Sequence, residues 1–199
     1  MSKFGFGSKT GIDYAGEQSG IVISQQAVTS ADLARIGFGQ SVAITPLQLC
    51  VAVSSAINGG EVLVPHLVKQ IVDPTTQTVV CYNSKTVKNR VISPQTSEKI
   101  VAMLEEVAMR GGGKAASVSG YQIGGKTGTA QKFANGAIAQ GKYVSSFIGF
   151  LKENGTPKYL VLLVVNEPQG QSYGSIVAAP FAGEVFRGII SCKNIAPME

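Results

Sequence analysis

The sequence predicts an α+β fold, with an antiparallel sheet of three consecutive strands packed with helices. Three observations predict it. Helix starts are marked by proline at Thr45-Pro46, Ser93-Pro94 and Ala179-Pro180. Three extended stretches follow one another between the second and third of these starts. The order helix, hairpin, helix, three strands, helix also lacks the regular strand–helix alternation of a wound parallel sheet.

Each element has its own warrant. Thr45-Pro46-Leu47-Gln48 is a capping box, and it opens a helix through Leu49 and Val53 that stops at Asn58-Gly59-Gly60. Val68 to Val72 and Thr78 to Tyr82 flank Asp73-Pro74-Thr75-Thr76-Gln77 and read as a satellite hairpin. Ser93-Pro94 opens a helix whose apolar face is Ile100, Val101, Leu104, Val107 and Ala108, ending at Arg110-Gly111. Lys126 to Gln131 reads as the first of the three strands. A long loop from Lys132 to Lys142 follows it, containing Asn135, Gly136 and Gly141. Val144 to Leu151 alternates in part, and Asn154-Gly155-Thr156-Pro157 supplies a turn. Tyr159 to Val165 is continuously apolar, as expected of a central strand buried on both faces. That arrangement puts Lys126 to Gln131 at or near a sheet edge. In the last helix Phe181, Val185, Phe186, Ile189 and Ile190 form the predicted packing stripe.

Composition narrows the function classes. A chain of 199 residues with 44% hydrophobic residues is one domain with a core, or a large part of one. No apolar run approaches the length of a membrane span, the longest being Tyr159 to Val165, and Met1-Ser2-Lys3-Phe4-Gly5 has no signal-peptide pattern. The net charge of +5 is spread over 17 basic and 12 acidic residues. The densest basic group, Lys85, Lys88 and Arg90, has no interleaved aromatics and reads as a solvated loop, not a nucleic-acid surface. Cys50, Cys81 and Cys192 are odd in number and widely spaced, and with the single His66 they form no metal-ligand pattern. Cys50 reads as a small core residue, and His66, after Pro65 at a strand start, as structural. No metal or other cofactor is expected.

One stretch carries chemistry. Gly120 to Thr127 satisfies the phosphate-loop pattern G-x-x-x-x-G-K-S/T, while Lys126-Thr127-Gly128-Thr129-Ala130-Gln131 is the K-T-G-T-A-Q element of serine enzymes that act on penicillins and cell-wall peptides. A phosphate loop needs a buried strand before it and a helix starting at its Lys-Thr pair. The preceding Gly111 to Ser119 is instead a small-residue loop, and no helical repeat follows. Asn166-Glu167 after Leu160 to Val165 mimics a metal-binding strand end, but Asn stands where an Asp is usual. A nucleotide-hydrolysing enzyme is therefore the remote alternative. Read as a strand, Gly128 leaves room for a substrate backbone, and an extended peptide can add to the edge.

The chain resembles the C-terminal part of the transpeptidase domain of class B penicillin-binding proteins, close to the sporulation and division types of Gram-positive spore formers. The residues that carry the resemblance run nearly end to end. They include Phe4-Gly5-Phe6-Gly7, Thr10-Gly11-Ile12-Asp13, Phe38-Gly39-Gln40, Thr45 to Leu49, Asn58-Gly59-Gly60, Pro65-His66-Leu67-Val68, Gly125 to Gln131, Ser146 to Phe150, and Ala178-Ala179-Pro180-Phe181. The resemblance implies a partial penicillin-binding or β-lactamase-like transpeptidase fold over residues 1–199. Family members use S-x-x-K, S-x-N and K-S/T-G elements. No Ser here has Lys three residues later or Asn two residues later, Ser30-Ala31-Asp32 being nearest to the latter. The chain therefore reads as a portion of a single transpeptidase domain in which both elements precede Met1.

What the resemblance implies for the parent protein is peptidoglycan cross-linking. A serine attacks the D-Ala-D-Ala bond of a stem peptide, and a neighbouring amine takes the acyl group. Lys126 then supplies positive charge beside the substrate carboxylate, and Thr127 and Thr129 present hydroxyls on one strand face. The Thr129 N–H is half of the oxyanion hole, Gly128 lets the substrate approach, and Gln131 extends the strand into the rim. Partners would be D-Ala-D-Ala stem peptides and β-lactams, at the extracytoplasmic face of the cell membrane. Lacking a nucleophile, the chain alone is expected to be inactive, and apolar surface left open would favour self-association. The alternative from another class is a non-catalytic peptide-binding or assembly module.

Overall fold

The computed structural model describes residues 1–134 and 137–198. The expected loop residues Asn135 and Gly136 lie outside the described residues. The chain forms two compact units, Met1–Ser97 and the residues from Glu98 onward.

The first unit contains a 3-10 turn at Ser2–Phe4, helix α1 (Ser30–Gly37), helix α2 (Pro46–Ile57) and four short strands. The α2 capping box forms as written in the sequence. The Gln48 backbone N–H donates to Thr45 Oγ1 at 3.1 Å, and the Thr45 N–H donates to Gln48 Oε1 at 3.0 Å. The Gln48 amide then donates to the carbonyls of Ser8 and Ser19, both at 2.8 Å, so this buried side chain ties two loops to the helix start. Helix α1 begins beside Asp32. Its signal is a second box, in which Thr29 caps Asp32 and the Asp32 carboxylate accepts from Thr29.

Strands β1 (Glu61–Leu63) and β4 (Val87–Arg90) pair antiparallel, as do β2 (Gln70–Val72) and β3 (Val79–Tyr82). The β2–β3 pair is the expected satellite hairpin, and every residue in both strands is exposed. The basic group differs from its reading as a solvated loop. Lys88 and Arg90 lie on β4, Lys85 and Arg90 pair with Glu61, and the Lys88 ammonium donates to the Thr10 carbonyl. Charge pairing across the ladder, invisible in linear sequence, accounts for the cluster. His66 is exposed and lies after β1, outside any strand. Cys50 is half-buried in α2, and burial pushes its thiol pKa up.

The second unit contains the bulk of α3 (Pro94–Arg110), a 3-10 turn at Lys114–Ala116, and strands β5 (Ile123–Ala134), β6 (Ala137–Glu153) and β7 (Thr156–Asn166). Two helices complete it, α4 (Gly174–Val177) and α5 (Ala179–Lys193). The three strands form an antiparallel sheet in the order β5-β6-β7. The α+β prediction therefore holds, and the Lys126 strand is at the sheet edge.

Three expectations are corrected. The central strand is β6, not the apolar Tyr159–Val165 stretch, which is the half-exposed third strand of a meander. From Ser145 to Leu151, β6 is buried at every position but Ser146. The segment from Lys132 to Lys142 is no long loop, since β5 continues to Ala134 and β6 begins at Ala137. Backbone ladder bonds carry this extension, so polar and glycine-containing sequence does not prevent it. The α5 stripe is also rotated. Ala179, Ala182, Gly183 and Phe186 are buried, whereas Phe181 and Val185 are exposed. Small residues let the helix approach closely, and Phe186 fills the space beyond them.

The core of this unit gathers Ala108, Ala116, Ile123, Phe147, Leu151 and Phe186 with the alanines of α5. Glycines shape it. A Cβ on Gly125 would lie 2.4 Å from the Phe147 ring and one on Gly149 would lie 2.6 Å from it, so the ring fills the space that a side chain at either position would need. Gly174 to Lys193 is long and apolar enough to cross a membrane, a property the sequence reading did not find. Its Ala178, Ala179, Ala182 and Phe186 are packed in this core.

Candidate functional site

The Lys126-Thr127 pair sits within β5, with three residues of strand before it. A phosphate loop would need a helix to start there, so the nucleotide-binding alternative fails on geometry. In the ladder Lys126 opposes Ile148, Thr127 opposes Phe147, Gly128 opposes Ser146 and Thr129 opposes Ser145. Among the described residues, no strand pairs with the other edge of β5.

Strand alternation sorts the candidate residues onto two faces. Thr127 and Thr129 share the face of Phe147. A Cβ placed on Gly112 would lie 3.5 Å from Thr127 Oγ1, so the threonine stands beside the glycine loop that follows α3. Thr129 Oγ1 accepts a hydrogen bond from the Gly174 N–H at 3.2 Å. Lys126 rises from the opposite face. It is exposed, and its ammonium donates to the Thr127 carbonyl at 2.8 Å. Among the described residues no carboxylate lies within ion-pair distance of it. Gly128 is on the Lys126 face, where a Cβ would lie 2.7 Å from Ser146 Oγ. Gln131 is exposed where the ladder shifts register between Gln131 and Phe133. The structure thus brings the two threonines together on one face and leaves the lysine to reach the same edge from the other.

Sequence reasoning missed the residues that back this strand. Ser145, fully buried opposite Thr129, donates to the Ser172 carbonyl. Further along the site strand, Lys132 pairs with Glu167 at 2.6 Å, and Lys142 on β6 reaches the same carboxylate at 3.4 Å. These two ammoniums, Lys132 foremost, hold the Glu167 carboxyl below its ordinary pKa. The local signal was the pair Ser145-Ser146 before an apolar run, and it does not show which serine is buried, because the partners are distant in sequence. The cavity lined by Lys3, Ser8, Thr10, Gln48 and Lys88 belongs to the first unit and holds none of the candidate residues. The candidate site is a strand edge, suited to an extended ligand and to anions that accept from lysine and hydroxyl donors.

Known proteins place this geometry in a family. The family described as "Penicillin binding protein transpeptidase domain" matches residues 1–187. Stage V sporulation protein D of Bacillus subtilis is 41% identical over 198 residues, covering 99% of this chain and 30% of that protein. Peptidoglycan D,D-transpeptidase FtsI of Escherichia coli is 30% identical over 201 residues, covering 98% of this chain and 32% of that protein. This chain thus spans about a third of the length of these relatives. Among solved structures, penicillin binding protein 3 of Mycobacterium tuberculosis superposes with a TM-score of 0.87 at 27% identity, over 100% of this chain and 46% of that one. The same protein has been solved in complex with ampicillin. With this fold, this edge strand and these relatives, the chain belongs to the penicillin-binding protein transpeptidase family.

Proposed function

We propose that the chain is the C-terminal portion of a single peptidoglycan D,D-transpeptidase domain and supplies its carboxylate-binding strand. The observation that carries this reading is the position of Lys126-Thr127-Gly128-Thr129 within an edge strand, with both hydroxyls on one face. A stem peptide ending in D-Ala-D-Ala lies along β5 as an added strand. Its terminal carboxylate accepts from Thr127 and Thr129, and the Lys126 charge favours it. Gly128 keeps that approach open, and Gln131 borders it. The Thr129 N–H is one oxyanion donor, and loss of such a donor typically costs about 100- to 1,000-fold in rate. A β-lactam presents a comparable carboxylate and takes the same place, at the extracytoplasmic face of the cell membrane.

The nucleophile is not among these 199 residues, since no Ser-x-x-Lys occurs. The chain alone therefore binds without forming an acyl-enzyme. Exposed Ile71, Val80 and Tyr82 on the β2–β3 hairpin support self-association of the isolated chain, and a sedimentation coefficient independent of concentration would rule it out. The main test titrates ¹⁵N-labelled chain with N-acetyl-L-Lys-D-Ala-D-Ala. The amides of Thr127 to Gln131 shift with the free-acid peptide and not with its C-terminal amide. A fluorescent penicillin leaves no covalent adduct. Equal shifts with both peptides, or a stoichiometric adduct, would overturn the reading.

A further inference from the structure

We propose that Ser145 and Gly174 are positioning residues that aim the Thr129 hydroxyl out of the strand. The inference rests on the carboxylate-binding role given above to Thr129, and it assigns that role's geometry to residues outside the K-T-G-T element.

A threonine hydroxyl has one O–H donor and two acceptor lone pairs, and it rotates to suit its neighbours. At Thr129 one lone pair is occupied, because the Gly174 N–H donates to Oγ1 at 3.2 Å. A proton directed at that N–H would meet another proton, so the O–H turns to the remaining, exposed arc. Among the described residues no acceptor competes for it. A hydroxyl held this way presents a donor to an incoming carboxylate without first giving up a protein partner.

The donor is itself held in place. Gly174 abuts the backbone of both site strands, and a Cβ there would lie 2.4 Å from the Ser146 carbonyl oxygen and 2.7 Å from that of Gly128. Only glycine brings its N–H within reach of Thr129. Two residues earlier, the Ser172 carbonyl accepts from Ser145 Oγ, and Ser145 is fully buried and directly opposite Thr129 in the ladder. The segment is anchored at its start as well, where the Glu167 N–H donates to the Tyr143 carbonyl at 2.8 Å and the Glu167 carboxylate takes Lys132. Ser145 touches no ligand in this arrangement. It acts through the Ser172–Gly174 segment, which leads into α4, on Thr129.

The test is a double-mutant cycle on the 199-residue chain with N-acetyl-L-Lys-D-Ala-D-Ala as probe, read together with hydrogen exchange at the Gly174 amide. Thr129→Val removes the acceptor and Ser145→Ala releases the Ser172–Gly174 segment. Each should weaken peptide binding about tenfold, the scale of one hydrogen bond to a charged group. The double variant should be no weaker than Thr129→Val alone. Gly174 exchange should accelerate in both single variants while β6 amides keep their protection. Unchanged binding in Ser145→Ala, losses that multiply to about a hundredfold, or unaltered Gly174 exchange would each overturn the proposal. If Ser145→Ala does not fold, exchange at Gly174 in Thr129→Val decides. If the unaltered chain binds no peptide, the carboxylate reading falls, and the exchange measurements still uphold or overturn the positioning.

Discussion

The tripeptide Lys-Thr-Gly occurs twice in this chain, at Lys9-Thr10-Gly11 and at Lys126-Thr127-Gly128, in two different structures. The first is irregular. Thr10 is buried, and Glu17 gathers the Thr10 N–H at 2.6 Å, the Thr10 hydroxyl at 2.5 Å and the Gly11 N–H at 3.1 Å. The second runs straight through a strand whose backbone groups pair with β6. The two glycines also serve different needs. Gly11 has φ +86, and a Cβ there would make only ordinary contacts with Lys88 Nζ at 3.6 Å and Val64 Cγ1 at 3.9 Å, so it is there for conformation. Gly128 has no such φ but stands against Ser146, so it is there for room. Three identical residues therefore settle neither structure nor role. A carboxylate six or seven positions away sets one copy, and a ladder partner about twenty positions away sets the other.

Substitutions test this contrast in order of expected effect. Phe147→Ala removes the ring that fills the space at Gly125 and Gly149, opposite Thr127. It should cost about 4 kcal/mol of stability and lower the melting temperature measured by calorimetry by roughly 10 °C. Loss of less than about 1 kcal/mol would mean that the ladder alone holds the second copy. Glu17→Gln should cost about 1.5 kcal/mol after allowance for its partial exposure, with faster amide exchange at Thr10 and Gly11 and none at Lys126 to Thr129. The same loosening should appear in acid. Burial pushes the Glu17 carboxyl up, but the Thr10 hydroxyl and the Thr10 and Gly11 amides outweigh it, and its pKa ends below the ordinary value. Its contribution is thus complete above the ordinary carboxylate range and is lost as pH falls through the depressed folded value. Exchange at Thr10 that is flat across that window would break the comparison. The glycine pair gives the smallest effects. Gly11→Ala should cost about 1 kcal/mol for its left-handed backbone, and Gly128→Ala about 0.5 kcal/mol, because Ser146 Oγ can rotate aside. Equal costs in urea unfolding would show that the two glycines answer the same need.

Legibility in the sequence followed the range of the interaction. The α2 capping box, the Asp73 to Gln77 turn and the start of α5 rest on residues within a few positions of one another, and all were readable. The face of α5 was not, because Ala and Gly are buried there for their small size and leave the periodicity to larger residues that stay exposed. The apolar run in β7 marked a strand correctly and its place wrongly, since strand order is decided by which hairpins close. At the site, the Lys126 to Gln131 strand and its edge position were readable, and so was the shared face of Thr127 and Thr129. The Ser145–Ser172 and Thr129–Gly174 contacts were not, being 27 and 45 residues apart.

The shared carboxylate of Glu167 has one more implication. With two cationic neighbours at 2.6 and 3.4 Å, it is served redundantly. Lys132 on β5 and Lys142 on β6 reach it from two strands, so neither strand alone supplies its counter-charge. Replacement of one of these lysines leaves the other beside the carboxylate, and the backbone bond from the Glu167 N–H to the Tyr143 carbonyl holds the residue in either case.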